Sequence, residues 1–495
     1  MKKTKISIIA GLLILFNISL LNCQAVNGND PQDIVVSETS VPDKTGMTVK
    51  GLVVDNAGKP VEGVVVNDGK NFTVTNKNGI YYLPSDLTRS KFVSISIPSD
   101  FDIEPDVVSS FYARLSSGQA VNRRDFKLNR RTNKQDEFVY LAISDPQVKN
   151  TAHMERLDKE TMTDLRATIK QTGNKPVYAM TLGDNVFDEM GLFTLYKAMF
   201  SGLHVPVFST IGNHDFDLKY NDLHNSENPQ GNYAEEIYES FFGPVDYSFN
   251  IGNIHVITMK NIDYFAGKKY TERFTPEQLE WLKKDLGYVA KGTVVFLNVH
   301  APTSNKSSEG SGNTTNTADL LKILQGYQVH IFAGHTHFYE NEEPAPGIYE
   351  HNIGAACGAW WAGTVNRCGA PNGYLIVDVK GNEVKWHYKA TGKALNYQFR
   401  VYKPGEFATQ AGYVVANVWD YDSSYQVKWY EDNVLKGTME QFADEDQDFI
   451  TMKNGKGTGY HTLHLFRAKP AAETKNLKIE VTNRFGEVYT QEVAL

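Results

Sequence analysis

The chain has 495 residues, more than one hydrophobic core usually spans, so about two to four domains are expected. With 41% hydrophobic and 22% charged residues, its composition is that of a globular protein and excludes a disordered or fibrous one. The formal net charge is −8, and no basic run follows the N-terminus. Because binding to a phosphate backbone needs a concentrated positive surface, nucleic acid is not expected as a partner.

The N-terminal segment, residues 1–23, has the pattern of an export signal. Three lysines within the first five residues precede an apolar run that is short for a membrane-spanning helix. Residues 20–23 resemble a bacterial lipoprotein box, in which Cys23 is lipidated and anchors the protein. We therefore predict an exported bacterial lipoprotein of the periplasm or the outer membrane and cell surface. Cleavage after Ala25 is the alternative, because Asn22 is not the small residue usual before that cysteine.

Two segments of different character follow the signal. Residues 24–45 are polar, and we interpret them as a linker. Residues 46–130 contain short apolar runs separated by turn signals such as Asn78-Gly79, which predict a small β-sandwich. This stretch resembles the carboxypeptidase-regulatory-like β-sandwich modules attached to many exported bacterial enzymes. It offers no nucleophile and no cluster of metal ligands, so we expect a structural role.

The pattern changes again in the rest of the chain. Between residues 137 and 390, apolar strands alternate with helical segments, which predicts an α/β core. One helix start is well marked, because Thr275 and Gln278 have the spacing of a capping box before an apolar face. Residues 391–495 return to short strand-like runs, which predict a second small β-sandwich domain.

Five predicted strands of the core end in polar residues of the kind that bind metal ions. These strand ends carry Asp145-Pro146-Gln147, Gly183-Asp184, Gly212-Asn213-His214-Asp215, His300 and Gly334-His335-Thr336-His337. A single Asp after a strand is usually a helix cap, and a single His is usually structural. Their joint occurrence indicates one shared site, because ligands gather at the carboxyl ends of such strands. Carboxylate, amide and imidazole donors suit two divalent ions that activate water and clamp a phosphate.

These five blocks, in this order, resemble the motifs of the calcineurin-like metallophosphoesterases. The resemblance spans about residues 139–337. It implies an α/β fold, a four-layer sandwich of two mixed β-sheets flanked by helices, here with small all-β domains at both ends. It also implies a metal-dependent hydrolase of phosphate esters, a phosphomonoesterase or phosphodiesterase, with a dinuclear centre and a hydroxide that bridges the two metals.

The resemblance also implies a role for each polar residue. One metal is expected on Asp145, Asp184 and His337, and the other on Asp184, Asn213, His300 and His335, with Asp184 as the bridge. His214 is expected outside the metal shell, as the catalytic group that stabilises the transition state and protonates the leaving oxygen. Asp188 or Asp215 is expected to orient His214.

The sequence departs from the family at Gln147, because the first motif usually reads Asp-x-His. A Gln amide oxygen can bind a hard ion, but it is an uncharged donor and cannot transfer a proton. Gln147 is therefore a candidate metal ligand or a neighbour of the metal shell. Manganese is the expected ion, with iron, magnesium and zinc as alternatives.

Substrate and partners stay open at this stage. The expected substrate is a small-molecule, lipid or protein phosphate ester, and contact with a membrane is expected only through the N-terminal lipid. The sequence does not determine the oligomeric state. A second hypothesis is a non-catalytic surface binding lipoprotein that keeps a relict metal site. Metal content and hydrolysis of phosphate esters distinguish the two hypotheses.

Two pairs of residues near the end of the core allow two interpretations each. Cys357 and Cys368 are either a disulfide or two buried free thiols. For Trp360 and Trp361, interior packing is the favoured interpretation, and stacking on a ring of the substrate is the other.

Overall fold

The computed structural model describes residues 32–105, 111–218, 233–266, 269–307 and 310–495. The predicted signal peptide, with its lipidation at Cys23, and the first residues of the predicted linker lie outside the described residues. None of the helices in the described part of the chain combines the length and the apolar character needed to cross a membrane.

The N-terminal domain is a β-sandwich of two four-stranded sheets. Its strands are β1 (Val49–Asp55), β2 (Val65–Asn67), β3 (Phe72–Val74), β4 (Ile80–Leu83), β5 (Phe92–Ser96), β6 (Tyr112–Arg114), β7 (Asn122–Arg123) and β8 (Phe126–Leu128). One sheet has the order β4-β1-β7, with β8 also paired to β1, and the other has the order β3-β2-β5-β6. Alternate apolar residues such as Val53, Val66 and Ile95 are buried in one cluster, as the period-2 pattern predicts.

The core domain contains two mixed sheets and a hairpin. Its strands are β9 (Glu137–Ile143), β10 (Val177–Leu182), β11 (Val207–Thr210), β12 (Tyr247–Ile251), β13 (Ile254–Thr258), β14 (Ile262–Ala266), β15 (Lys269–Glu272), β16 (Val294–Asn298), β17 (Gln328–Ala333), β18 (Glu340–Ala345), β19 (Ile348–Asn352), β20 (Gly373–Lys380) and β21 (Glu383–Ala390). The first sheet has the order β11-β10-β9-β20-β21 and the second has the order β12-β13-β16-β17-β19-β18. Strands β14 and β15 form the separate hairpin.

Helices cover the outer faces of both sheets. They are α1 (Thr151–Leu157), α2 (Thr163–Gln171), α3 (Phe193–Ser201), α4 (Glu236–Phe242), α5 (Pro276–Leu286) and α6 (Thr317–Leu324), with a π-helical turn at Asp158–Met162 and 3₁₀ turns at Met190–Leu192 and Tyr233–Glu235. Alternate residues of β9 explain the layering, because successive side chains of a strand point to opposite faces. Leu141 packs in the same cluster as Leu157 and Leu165 of the helices, whereas Tyr140 packs with Phe296 of the second sheet.

Helix α5 begins as its sequence predicts. Thr275 Oγ1 accepts a hydrogen bond from the backbone N–H of Gln278 at 3.3 Å, and the Gln278 side chain accepts one from the Thr275 N–H at 3.1 Å. This reciprocal pair is a capping box, which satisfies two N–H groups that a helix start leaves unpaired. Trp281 and Leu282 lie on the buried face of the helix, against the second sheet.

The C-terminal domain is a second sandwich of two four-stranded sheets. It contains β22 (Arg400–Tyr402), β23 (Val414–Asn417), β24 (Gln426–Glu431), β25 (Val434–Thr438), β26 (Glu440–Asp444), α7 (Gln447–Met452), β27 (Thr462–Ala468), β28 (Asn476–Thr482) and β29 (Val488–Ala494), with a 3₁₀ turn at Ala408–Gln410. The sheets have the orders β22-β23-β27-β26 and β25-β24-β28-β29. Buried hydrogen bonds join both β domains to the core: Trp281 Nε1 donates to Asn67 Oδ1 at 3.1 Å, and Tyr339 OH donates to Asp420 Oδ1 at 2.6 Å.

Candidate metal centre

The candidate ligands meet at one edge of the molecule because the strands that carry them run in parallel. Strands β9, β10 and β11 pair in parallel in the first sheet, and β16 and β17 do so in the second. The first three end just before Asp145, Asp184 and Asn213, and the other two end just before His300 and the His335–His337 pair. These side chains are buried, apart from the partly exposed His335, so each polar atom needs a partner.

Five of these residues have left-handed backbone conformations that non-glycine residues rarely adopt. The φ angles are 47° at Asp145, 41° at Gln147, 49° at Asp184, 69° at His335 and 56° at His337. Each such residue costs about 1 kcal/mol or more, so the surrounding structure must hold it. The concentration of this strain at neighbouring strand ends is typical of a functional site.

Two glycines allow the loops to approach each other. A Cβ atom at Gly212 would overlap the backbone nitrogen and the carboxylate of Asp184. A Cβ atom at Gly334 would overlap the Ser144 hydroxyl and the Asp145 carboxylate. Any side chain at either position would push the candidate ligands apart, so both positions require glycine.

Four donor atoms converge on one side of Asp184. His300 Nε2 lies 3.0 Å from Asn213 Oδ1, 3.1 Å from His335 Nδ1 and 3.3 Å from Asp184 Oδ1. The other ring nitrogen of His300, Nδ1, lies 2.8 Å from the Leu182 carbonyl and donates to it, so the lone pair belongs to Nε2. Ligand atoms about 2.0–2.2 Å from one ion lie about this far apart. This group therefore fits a divalent metal ion.

A second group lies on the other side of Asp184. His337 Nδ1 donates to the Gly358 carbonyl at 2.6 Å, which leaves Nε2 as the acceptor. That atom is buried, has no hydrogen-bond partner among the described residues, and lies 3.7 Å from Asp145 Oδ1. An unsatisfied buried acceptor costs about 1–3 kcal/mol, and a bound cation would supply the missing partner. Asp145 and His337 are thus candidate ligands of a second ion, whereas the ligand atoms of Asp184, His300 and His335 all lie within 4.8 Å of one another.

Gln147 lies at this second group, but its amide nitrogen faces the site. Gln147 Nε2 donates to Asp184 Oδ2 at 2.7 Å, and Gln147 Oε1 is 3.8 Å from the Cys357 thiol. A thiol is a weak donor, so turning the amide by half a revolution loses little on that side. After that turn the oxygen would face the ion. The geometry therefore fits both expected roles, ligand and neighbour.

His214 lies beside the two groups, and Asp188 contacts its ring. His214 Nδ1 is 2.8 Å from Asp188 Oδ1, and the ring stacks on Phe187 at a centroid distance of 4.0 Å. The backbone N–H of His214 donates to Asp184 Oδ1 at 2.8 Å. Of the two residues predicted to orient His214, Asp188 has the required contact.

Asp215 has a different role from the predicted one. Its buried carboxylate accepts hydrogen bonds from the backbone N–H groups of Gly212, Asn185 and Val186 and from the Asn185 side chain, at 2.9–3.1 Å. These four donors saturate the carboxylate, so it fastens the Asp184 loop to the Asn213 loop instead of orienting His214. Burial, together with the negative charge of Asp184, raises the pKa of Asp215 to about 7.

The charges at the site favour a cation. Burial alone would raise the pKa of Asp184, but the imidazoles of His300, His214 and His335 outweigh it and hold that pKa well below its usual range. Burial lowers and the Asp184 carboxylate raises the pKa of His300, which reaches about 9. The carboxylate therefore needs nearby positive charge. Metal ions can supply that charge in place of the protons on the imidazoles.

Sequence reasoning missed several neighbours of the candidate ligands. Glu272 Oε1, at the end of β15, lies 3.3 Å from His335 Nε2, and the Ser144 hydroxyl donates to the Asp145 carboxylate. Ser144 directly precedes Asp145 and could have been considered, whereas no motif surrounds Glu272. Cys357 and Cys368 are free and buried, so the disulfide interpretation is wrong.

Three sequence profiles of one family match nearly the whole of the described chain. Calcineurin-like phosphoesterase matches residues 138–339, the N terminal of Calcineurin-like phosphoesterase matches residues 47–131, and the C terminal of Calcineurin-like phosphoesterase matches residues 350–489. The chain belongs to the calcineurin-like phosphoesterases. The predicted family and fold class are thereby confirmed. Membership indicates a phosphatase-type hydrolase that uses divalent metal ions.

Three solved structures are similar to parts of the chain. A dimetal phosphatase from Danio rerio is 13% identical with a TM-score of 0.36, and the match covers 52% of this calcineurin-like phosphoesterase and 98% of that protein. A purple acid phosphatase from Lupinus luteus seeds is 12% identical with a TM-score of 0.38, covering 66% and 67%. A 5'-nucleotidase from Candida albicans is 12% identical with a TM-score of 0.32, covering 52% of each chain. Among curated proteins no significant match was found.

Proposed function

We propose that this protein hydrolyses phosphate monoesters or diesters at a pair of divalent metal ions. The observation that supports a pair, rather than a single ion, is the position of Asp184. Its Oδ1 lies 3.3 Å from His300 Nε2 in the first donor group, and its Oδ2 accepts a hydrogen bond at 2.7 Å from Gln147 Nε2, which is also 3.4 Å from Asp145 Oδ1 in the second. One carboxylate that faces two donor groups is the arrangement expected of a bridging ligand.

The residues divide between the two ions as follows. Asp184, Asn213, His300 and His335 would hold one ion, and Asp145, Asp184 and His337 would hold the other, with Gln147 as an optional oxygen donor. When bound, such a pair activates a water molecule and neutralises charge on the phosphoryl oxygens. The backbone fixes the donors before the ions bind, because their loops are strained and closely packed.

His214 would act on the leaving oxygen of the ester. A carboxylate only accepts hydrogen bonds, so the contact with Asp188 assigns a proton to His214 Nδ1 and leaves Nε2 for the substrate. Burial lowers the pKa of His214, but the carboxylates of Asp184 and Asp188 more than offset this and raise it. A raised pKa increases the protonated fraction near neutral pH, which suits a group that donates a proton.

The metal and the cellular location are further parts of the proposal. Mixed oxygen and nitrogen donors suit manganese, and they also suit iron, magnesium or zinc. The apolar N-terminal run and Cys23 support an exported, lipid-anchored protein of the periplasm or cell surface. The negative net charge argues against nucleic acid, and a small-molecule, lipid or protein phosphate ester is the proposed substrate.

Metal analysis and hydrolysis assays test the proposal together. The purified protein is saturated with Mn, its metal content is measured, and turnover of an aryl phosphate and a bis-aryl phosphate is followed. We expect about two ions per chain and hydrolysis of at least one ester. His214→Ala should keep the metals and lose turnover by roughly 10²–10⁴-fold. His204→Ala, an exposed histidine before β11, is the matched control and should change neither.

Fewer than about two ions, combined with no turnover, would instead favour the non-catalytic surface binding protein. Full activity of His214→Ala would remove only the role assigned to that residue. The two results are therefore separable, because metal content is measured without the substrate.

A further inference from the structure

The two neighbouring tryptophans of the core have different surroundings. Trp361 is 6% exposed, its Nε1 donates to the Pro146 carbonyl at 3.1 Å, and the Arg156 guanidinium lies over its ring. Trp361 is therefore an interior residue that holds the backbone next to Asp145, as the packing interpretation predicts. Trp360 is 42% exposed, so that interpretation is wrong for this residue.

Trp360 covers a candidate metal ligand with one face of its ring. The ring lies 4.6 Å from the imidazole of His337, with 25° between the planes, and His337 is only 1% exposed. The indole thus contacts His337, which is itself part of the Asp145–His337 donor group. Much of the remaining indole surface faces solvent, because Trp360 is 42% exposed.

The backbone at Trp360 is in an unfavourable conformation. Its φ angle is 54° and that of Trp361 is 59°, and bulky residues rarely adopt this left-handed conformation. Full burial of a large aromatic side chain would ordinarily offset such strain, but this residue is 42% exposed. An exposed aromatic surface held by strained backbone beside a reactive centre is typical of a ligand-binding surface.

A cation lies near the ring. The Arg367 guanidinium is 6.0 Å from the Trp360 ring centroid and is fixed by stacking on Phe338 at 4.8 Å and on Tyr460 at 4.9 Å. Its Nη1 also donates to the Thr336 carbonyl at 3.2 Å. Positive charge next to an exposed ring suits an anionic substrate that carries a flat group of its own.

We propose that Trp360 is a specificity-determining residue that stacks on a planar ring of the substrate, so that the enzyme prefers phosphate esters of aryl groups or nucleosides. This inference rests on the proposed phosphoesterase function. Its physical basis is that an exposed indole face gains contact with a flat ring and very little with a short saturated chain. Saturated esters of similar charge would bind through the metals alone.

The test compares paired esters in the Mn-loaded protein. Values of kcat/KM are measured for phenyl and methyl phosphate, or for their diesters if only diesters react, in wild type, Trp360→Ala and Trp360→Phe. We expect Trp360→Ala to lower the phenyl-to-methyl ratio about five- to tenfold and Trp360→Phe to keep most of it. Tyr288→Ala removes a similarly exposed ring, 48% exposed, from the end of α5 and should leave the ratio unchanged. Adenosine monophosphate then separates nucleosides from simple aryl groups.

Equal losses on both esters, or no change in either, would overturn the inference. A binding measurement keeps it separate from the proposed function: phenylphosphonate and methylphosphonate are titrated into the same Mn-loaded variants, and neither needs to be hydrolysed. If wild type hydrolyses nothing, the proposed function fails, yet Trp360→Ala should still weaken phenylphosphonate selectively. If both phosphonates bind wild type equally well, the role of Trp360 is refuted even in an active phosphoesterase.

Discussion

His214 Nδ1 lies 2.8 Å from Asp188 Oδ1, and this contact decides which nitrogen of His214 can meet a substrate. The carboxylate fixes the tautomer, and stacking on Phe187 at 4.0 Å fixes the plane of the ring. Neither Asp188 nor Phe187 belongs to the candidate ligand groups. The side chains that hold the His214 ring are therefore different from the candidate metal ligands, although the His214 backbone N–H donates to Asp184.

Asp188→Asn tests whether Asp188 acts on His214 and not on the candidate metal ligands. The amide oxygen can still accept from Nδ1, but the negative charge that favours the protonated imidazole is lost. We expect the metal content to stay at its wild-type value and kcat to fall roughly tenfold, less than in His214→Ala. Steady-state kinetics and metal analysis measure both. Loss of metal in Asp188→Asn would show that the residue supports the centre instead of the proton donor.

Asp215→Asn should damage the structure of the site. Asp215 accepts four hydrogen bonds from N–H groups of two ligand loops, and an amide would direct its own N–H₂ at some of those donors. We expect the free energy of unfolding to fall by about 2–4 kcal/mol and metal binding to weaken. Thermal unfolding and metal titration measure these effects. Asp319→Asn, at an exposed ion pair on α6, is the control and should change stability by less than about 0.5 kcal/mol.

The fold class, and the gathering of the candidate ligands at one edge, could be predicted from the sequence for a physical reason. Buried strands are apolar runs, and a polar residue directly after such a run lies at the sheet edge where ligands gather. Contacts between residues that are far apart in the chain leave no such pattern in the sequence. Glu272 meets His335 only because the β14–β15 hairpin folds over the site, and its own neighbours in sequence are not distinctive. The exposure of Trp360 next to the buried Trp361 depends on two φ angles that the Trp-Trp pair does not encode.

Short edge strands were also not predicted. In the C-terminal domain, β25 has exposed Val434 and Leu435 beside each other, so the alternation that marks a half-buried strand is absent. Strand β7 has only two residues, Asn122 and Arg123, and its pairing with β1 comes from position rather than from β propensity. Such strands are defined by their partners, so a single sequence does not reveal them.

Glu272→Gln should weaken metal binding without removing a ligand. Glu272 Oε1 lies 3.3 Å from His335 Nε2, so His335 offers Nδ1 to the first donor group while the carboxylate holds its other nitrogen. Partners of this kind orient the imidazole and increase its basicity, and their loss typically costs about 10–100-fold in metal affinity or activity. Competitive titration with a chelator measures the affinity. Unchanged affinity would mean that Glu272 contributes only to the hairpin, and Glu277→Gln at the start of α5 controls for the charge.

The stability of the protein should depend on pH through Glu350, a buried carboxyl behind the His300 loop. It accepts hydrogen bonds from the Thr303 N–H at 2.7 Å and the Ser304 N–H at 3.1 Å, and burial raises its pKa to about 7. In the unfolded chain the pKa is about 4.3. The folded state therefore binds the proton more tightly, and this stabilisation is complete below about pH 4 and is lost as the pH rises through about 7.

Glu350→Gln keeps a hydrogen-bond acceptor at this position and cannot ionise. Wild type should therefore lose stability between about pH 5 and pH 8 relative to Glu350→Gln, by on the order of 3 kcal/mol. Urea unfolding at both pH values, followed through the same optical signal, measures the difference. Comparison with the variant is essential, because other carboxyls also titrate over this range. Their contribution to the pH dependence is the same in both proteins, so it cancels when the two are subtracted. Parallel pH dependence in the two proteins would show that Glu350 is ionised in the folded state at pH 5.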